Sequence, residues 1–310
     1  MATSTALSTT EAQRRRARRL TGEVLASWLF LLPAGLLLLA FVFYPLFYLL
    51  YVSLLHWNLI GRARFVGLAN YSSLLQSVYF WQAVWNTVWM TAGTLVITLP
   101  LAFFTAQFVH LELNRRLSGL YRSAAFAPYV FPLVASGVVW NLMLQKQGIA
   151  NWALSLLHLA GPHWLSQGVW PLVSIILVTT WQFFGYYTVI FLSGLQGVPP
   201  TLYEAAAIDG ASAWTRLTRI TLPMISPTLF FATVILVLQG FQTFTQAYVM
   251  TSGGPNGATT TLVYYLYQEA FQFFNIGRAG AVSVMLLILL VAITLVQFWL
   301  SRRWVNYDQL

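Results

Sequence analysis

Seven carboxylates, four histidines, one lysine and no cysteine are all that 310 residues offer for proton transfer, metal ligation or nucleophilic attack. Their placement suits none of these. His56, His110, His158 and His163 lack the spacing of a metal-ligand set, and the absence of cysteine excludes disulfides, thiol chemistry and cysteine metal sites. Lys146 stands in no G-x-x-x-x-G-K-[ST] loop, so the chain supplies no phosphate cradle for a nucleotide. No G-x-S-x-G elbow or carboxylate pair is present. The chain is therefore expected to be no catalyst by itself, and the chemistry left to it is hydrogen-bond exchange.

Two sets of uncharged residues suit that chemistry. Thr179, Gln182, Phe183 and Tyr186 share one helical face at about 100° per residue, and Gln239, Gln242, Thr243 and Gln246 share another, with Phe241 among them. Amides and hydroxyls at these positions can exchange hydrogen bonds with solute hydroxyls, while the aromatic faces can stack on sugar rings. Asn86 and Asn141 are weaker candidates for the same solute path. The stripes also suit hydrogen bonds from helix to helix, worth about 0.6 kcal/mol per contact on average, and both readings stay open on sequence.

A third set is charged and lies in a polar island, residues 203–223, between two apolar runs. Pro199-Pro200 ends the preceding helix, and Thr201 with Glu204 three residues later is expected to form a capping box that starts a short helix through Ile208. Asp209-Gly210 breaks it, because glycine tolerates the left-handed conformation of a sharp reversal. Ser212 is expected to cap a second short helix, residues 213–220, which Leu222-Pro223 terminates. The product is a helix-turn-helix along a membrane face. Ala205, Ala206, Ala207 and Ala211 permit close approach by a partner, Trp214 and Leu217 offer apolar contact, and Arg216 and Arg219 offer charge. An amphipathic loop resting on anionic headgroups is the alternative.

The elements that carry these residues must cross a membrane. With 58% apolar, 16% aromatic and 7% charged residues, the chain lacks the polar surface of a soluble domain. Six segments reach the roughly 20 residues needed to cross about 30 Å of hydrocarbon: 28–51, 84–109, 124–144, 170–195, 228–250 and 279–300. Pro33, Pro45, Pro100, Pro128, Pro132 and Pro227 fall in or beside them, so the freed backbone groups must be satisfied within a packed bundle. The fold class is all-α, a polytopic membrane protein of six transmembrane helices with a helix-turn-helix on its inner face. Trp81, Trp164 and Trp170 read as interface-belt residues.

Charge sets the orientation. With both termini cytoplasmic, Arg14, Arg15, Arg16, Arg18, Arg19, Arg115, Arg116, Arg122, Arg216, Arg219, Arg302 and Arg303 lie inside, against Arg62, Arg64, Lys146 and Arg278 outside. The net charge of +9 thus reflects topology, and no basic face interleaved with aromatics calls for nucleic acid. Residues 28–51 are too long for a signal-peptide core and are read as a retained first helix. No carboxylate stands at the centre of a span, which argues against an ion-coupled carrier. A channel is harder to exclude on composition, but leaves the Glu204 island without a use.

The island residues Glu204, Ala205, Ala206, Asp209, Gly210, Ile220, Leu222 and Pro223 resemble, in type and spacing, the EAA loop of binding-protein-dependent ABC importer permeases. Further stretches are similar to the same family: Phe65 to Tyr71 with Trp85-Asn86-Thr87, Ala127-Pro128-Tyr129 through Trp140, Gly148 to Asn151, and Thr251 to Pro255 with Thr259-Thr260-Thr261 and Tyr267. Together they resemble the carbohydrate and glycerol-phosphate branch, with Leu217 standing where carbohydrate members usually carry phenylalanine. The resemblance implies that the island inserts into a groove on an ATPase through Glu204, Ala205, Ala206, Asp209, Gly210, Trp214, Leu217, Leu222 and Pro223. It also implies the organisation: a basic cytoplasmic tail (1–27), a permease domain (28–303) with its coupling loop at about 197–223, and a short cytoplasmic tail (304–310). The implied partners are a second, paralogous permease subunit, two ATPase subunits that carry ATP and magnesium, an extracytoplasmic solute-binding protein and membrane lipid, with no cofactor in this chain. The implied place is the bacterial or archaeal cytoplasmic membrane. The uncharged stripes favour an oligosaccharide or disaccharide over glycerol-3-phosphate or a glycerophosphodiester, which would call for a cationic residue in the path.

Overall fold

The computed structural model describes residues 27–112 and 115–305. The expected basic tail, with Arg14, Arg15, Arg16, Arg18 and Arg19, lies outside the described residues, as do residues 306–310 and the side chains of Arg115 and Arg116.

Four helices are long and apolar enough to cross a bilayer unbroken: Ser27–Ser53, Val78–His110, Trp170–Gln196 and Ile276–Ser301. The other two crossings are bent pairs. Ser118–Val130 turns by 92° into Leu133–Met143, and Ala213–Met224 turns by 67° into Ser226–Phe241. The expectation of a single helix over 124–144 is corrected by the Phe131-Pro132 step. Pro132 has no N–H and biases Phe131 away from the helical region, and it adopts φ −56°, ψ 129° ahead of the second piece. The expected fifth helix, 228–250, likewise stops at Phe241, and a separate π turn follows at Ala247–Thr251.

Two of the prolines are carried without a break. π turns at Leu39–Phe43 and Leu217–Thr221 stand immediately before Tyr44-Pro45 and Leu222-Pro223. The wider turn gives room for the ring and shifts the hydrogen bonds, so the helix continues past a residue with no N–H to donate.

The second and fourth spans pack along each other, with the third against the fourth and the fifth against the second. Leu99, Phe103, Tyr187, Phe191, Leu195 and Leu236 are among the buried residues of their shared core. Gly185 permits the third span to approach the fourth, since a Cβ there would stand 1.7 Å from the carbonyl oxygen of Ala125. The first span packs on the sixth, while most of its first half, residues 28–43, is exposed. A two-residue antiparallel ladder, Leu55 opposite Phe65 and His56 opposite Arg64, is a small addition to the helical class. Six crossings in sequence place the end of the second span at His110, the start of the third at Ser118 and the 200–224 island on one face, and the 54–77, 144–169 and 242–275 segments on the opposite face.

Candidate functional site

The island is a pair of short helices closed by local signals. The first, Pro200–Ile208, starts two residues earlier than the capping-box reading: Pro200 occupies a first-turn position, Pro199 precedes the helix, and no side chain caps it. Thr201 therefore sits inside the first turn. The helix ends as expected at Asp209-Gly210. Gly210 has φ +71°, and its N–H donates to the Ala207 carbonyl (3.1 Å) while the Ala211 N–H donates to the Ala206 carbonyl (2.9 Å), a Schellman ending. Ser212 Oγ accepts from the Thr215 N–H at 3.2 Å and caps the second helix. That helix does not end at Leu222-Pro223; the π turn carries it to Met224.

The two faces of the island differ. Tyr203, Leu217, Ile220 and Leu222 pack onto the core of the second and fourth spans, and the Tyr203 and Thr221 hydroxyls share a 2.9 Å hydrogen bond that ties the two helices together. Leu217 and Leu222 are thus turned toward the protein's own bundle. A cavity of about 330 Å³ lies on that side, between Phe104, Gln107, Tyr203, Trp214 and Leu217. Pro223 is half-buried in the joint to the fifth span. Glu204, Ala205, Asp209 and Gly210 are exposed, Ala206 is half-buried, and Trp214 is 71% exposed. Ile208 is 87% exposed, the largest exposure of an apolar side chain on the island. Sequence reasoning missed it. The signal was an isoleucine immediately before the Asp209-Gly210 break, where a helix end can hold nothing against the core.

The second constellation is a cavity of about 210 Å³ between the second, fourth and fifth spans. Thr179, Phe183, Gln239, Gln242, Thr243 and Gln246 line it. Thr179 is buried, and among the described residues its hydroxyl has no hydrogen-bond partner. Gln239 is oriented by Tyr187, whose hydroxyl donates to Gln239 Oε1 at 2.9 Å. Thr94 also lines the cavity and was missed. It belongs to a stripe of buried threonines, Thr87, Thr91, Thr94 and Thr98, at helical spacing along the second span, a period legible in the sequence.

The other candidates have different positions. Gln182 is 1% exposed and faces the bend of the third span: its Nε2 donates to the carbonyls of Pro128 and Phe131 (3.1 Å for the latter), and its Oε1 accepts from Ser136 Oγ at 2.6 Å. All of its hydrogen-bonding groups are thereby engaged in holding the bend. Tyr186 stacks on Tyr129, with ring centroids 4.8 Å apart, and Phe241 is buried; neither lines the cavity. Asn86 donates to the carbonyls of Gly257 (2.7 Å) and Thr260 (3.0 Å), and Asn141 to that of Met250 (2.6 Å). Both asparagines clamp the segment that follows the fifth span.

On the face opposite the island, Arg278 Nε lies 3.2 Å from Glu269 Oε1 and Arg278 also donates to the Tyr265 hydroxyl at 2.9 Å. Burial, then the hydrogen bond and charge of Glu269, pushes the Tyr265 hydroxyl above its usual range. This pair, with Glu269 buried and Arg278 half-buried, was not read from the sequence, where the two are nine residues apart across the turn that starts the sixth span.

A six-span bundle with an exposed helix-turn-helix on one face and a cavity lined in part by amides and hydroxyls among its spans is the architecture of a permease subunit, a non-catalytic membrane component of an ABC importer. The chain belongs to the family of binding-protein-dependent transport system inner membrane components, which it matches over residues 98–306, and it is a multi-pass inner-membrane protein. It is 32% identical over 286 residues, 91% of this chain and 92% of the other, to the sulfoquinovosyl glycerol transport system permease protein SmoG of Agrobacterium fabrum. To the lactose transport system permease protein LacF of Rhizobium radiobacter it is 33% identical over 284 residues, 89% and 94% of the two chains. Among solved structures, a chain of a bacterial alginate ABC transporter in complex with an alginate pentasaccharide-bound periplasmic protein superposes with a TM-score of 0.79 at 25% identity, covering 92% of this chain and 98% of that one.

Proposed function

We propose that this chain forms half of the solute path of an ATP-driven sugar importer, and that its cargo is an oligosaccharide or disaccharide. The observation that carries the reading is the cavity at Gln239, Gln242, Thr243 and Gln246, where amides and hydroxyls stand beside Leu133, Leu236, Phe183 and Phe244 with no cation in the lining. Such a wall offers donors and acceptors for sugar hydroxyls and an aromatic face for a ring. At about 210 Å³ it is smaller than the roughly 300–1,000 Å³ of small-molecule sites, as half of a shared path should be. The three similar proteins support a glycan cargo, each being named for a glycoside or a polysaccharide.

In this reading a second, paralogous permease supplies the other half, two ATPase subunits carry ATP and magnesium, and an extracytoplasmic binding protein delivers the solute. The island lies in the cytoplasm with both termini. Glu204, Ala205, Ile208, Asp209 and Trp214 contact the ATPase, while Leu217, Leu222 and Pro223 transmit its movement to the bundle. Ala206 and Gly210 set the backbone of the reversal. The permease domain is 28–303, flanked by the tails 1–27 and 304–310.

The test is uptake and ATP hydrolysis by the complete complex in liposomes, with lactose, maltose and trehalose set against glycerol-3-phosphate and a glycerophosphodiester, for the wild type and Glu204→Lys. A sugar is expected to stimulate hydrolysis, and the charge reversal to remove at least nine-tenths of that stimulation. Stimulation by the phosphate compounds alone overturns the sugar reading, and full stimulated activity in Glu204→Lys overturns the coupling role.

A further inference from the structure

Between the fifth and sixth spans five aromatic rings meet in a continuous run that packs one segment on the next and leaves part of its own surface open. Phe244 and Tyr248 stand one helical turn apart, stacked with centroids 5.3 Å apart and planes at 12°. Tyr264, Tyr267 and Phe271 lie along one face of the helix Leu262–Tyr267 and its continuation Gln268–Gln272. The two segments join ring to ring: Phe244 to Tyr267 at 5.2 Å, Tyr248 to Tyr267 at 5.5 Å and Tyr267 to Phe271 at 5.3 Å. Thr261 Oγ1 donates to the Thr243 carbonyl at 2.7 Å and fixes one segment against the other. Tyr264 anchors the run from behind, 3% exposed, with its hydroxyl donating to the Ser252 carbonyl at 3.1 Å.

The run is graded in exposure and connected at its buried end. Phe271 is 64% and Tyr248 40% exposed, whereas Phe244 also lines the cavity beside Gln242, Thr243 and Gln246. A ring seated on Phe271 and Tyr248 is thus led toward the amides without leaving an aromatic surface. Close association of helices in a membrane relies on small residues that let backbones approach. The exposed members of this face are large rings in place of such small residues. They suit the C–H face of a pyranose, whose hydroxyls remain at its edge for water or amides, and several similar faces in succession give many weak contacts with no deep trap.

We propose that Phe244, Tyr248, Tyr267 and Phe271 form an aromatic subsite for pyranose rings at the mouth of the solute path, handing the sugar to the cavity at Gln239–Gln246. This rests on the sugar reading above. The experiment compares the wild-type complex in liposomes with Tyr248→Leu, Phe271→Leu and Tyr248→Phe, using radiolabelled maltose and lactose at saturating binding protein and reading sugar taken up per ATP hydrolysed. Each leucine variant keeps apolar bulk but removes the ring, and is expected to lower that ratio about five-fold, in line with the worth of one aromatic contact. Tyr248→Phe keeps the face and is expected to retain more than half of the wild-type ratio. Leucine variants with an unchanged ratio, a phenylalanine variant as poor as leucine, or leucine variants that no longer co-purify with the second permease each overturn the proposal, the last by making the face an interface between subunits. A wild-type complex that takes up neither sugar fails the sugar reading itself, and is recognised before any variant is compared.

Discussion

The island and the bundle use polar residues in opposite ways. On the island, Glu204 and Asp209 are exposed, and the local bonds that shape the reversal, at Gly210, Ala211 and Ser212, are backbone bonds or a single cap. In the bundle, Gln182, Asn86 and Asn141 direct their amides at backbone carbonyls of other segments, whereas Gln239, Gln242, Thr243 and Gln246 line a cavity. A polar side chain in a membrane protein is therefore not a solute contact by virtue of its type. Where a broken helix leaves carbonyls without N–H partners, the nearest amide is consumed in satisfying them.

Removing Gln182 should give the largest effect and separate the two uses. Gln182→Ala removes the amide shared by the carbonyls of Pro128 and Phe131 and the Ser136 hydroxyl, leaving Pro128 with the Phe131 N–H (3.3 Å) and Ser136 with the Leu133 carbonyl (3.3 Å), and it opens space at a site that is 1% exposed. The weakened bonds and the space left together are expected to cost about 3 kcal/mol. Thermal unfolding of the purified complex should register it as a fall in Tm, with uptake falling only in step with the amount of folded protein. An unchanged Tm with lost uptake would instead return Gln182 to the solute path.

That ambiguity is also the measure of what the sequence could tell. The island was legible because its signals are local: two prolines before a helix, a glycine at a left-handed position, a serine two residues later. Even there the start was displaced by two residues, since Pro200 fits a first turn as well as Thr201 fits a cap, and the end was displaced because a π turn absorbed Pro223. The cavity was half legible. Helical periodicity grouped Thr179, Gln182 and Phe183 correctly on one side of the fourth span, but what lies opposite each residue is decided by another segment. The bend at Phe131-Pro132, some 50 residues earlier in the chain, claims Gln182 and leaves Thr179. No pattern within the fourth span contains that information. The Glu269–Arg278 pair was invisible for the same reason.

A second break in the comparison is Trp214→Ala. Its side chain is 71% exposed, so truncation costs the isolated fold little, but an exposed tryptophan is a residue type enriched at interface hot spots. A loss of about 2 kcal/mol in ATPase binding is expected, close to thirty-fold in affinity, with Tm unchanged. Binding of the purified ATPase to the permease pair in nanodiscs measures it. A fall in Tm with intact binding would place Trp214 with Leu217 as packing against the second span.

The smallest effect separates two glycines that the sequence cannot tell apart. A Cβ at Gly185 would strike the Ala125 carbonyl, whereas at Gly210 it would meet nothing within 4 Å, and only the φ of +71° resists it. Gly210→Ala should therefore cost about 1 kcal/mol, the strain of placing an alanine in the left-handed region. Gly210→Asn should cost less, because asparagine visits that region more readily than other side chains. Sugar-stimulated ATP hydrolysis should follow the order glycine, asparagine, alanine, with the Tm values within a few degrees of one another, since the reversal is exposed and packs on nothing. If asparagine is no better than alanine, the position is limited by what touches it from the ATPase side and not by its backbone angle. The island would then depend on surface contact at Gly210 itself, and the contrast with Gly185 would be one between two steric sites, one inside the bundle and one against a partner.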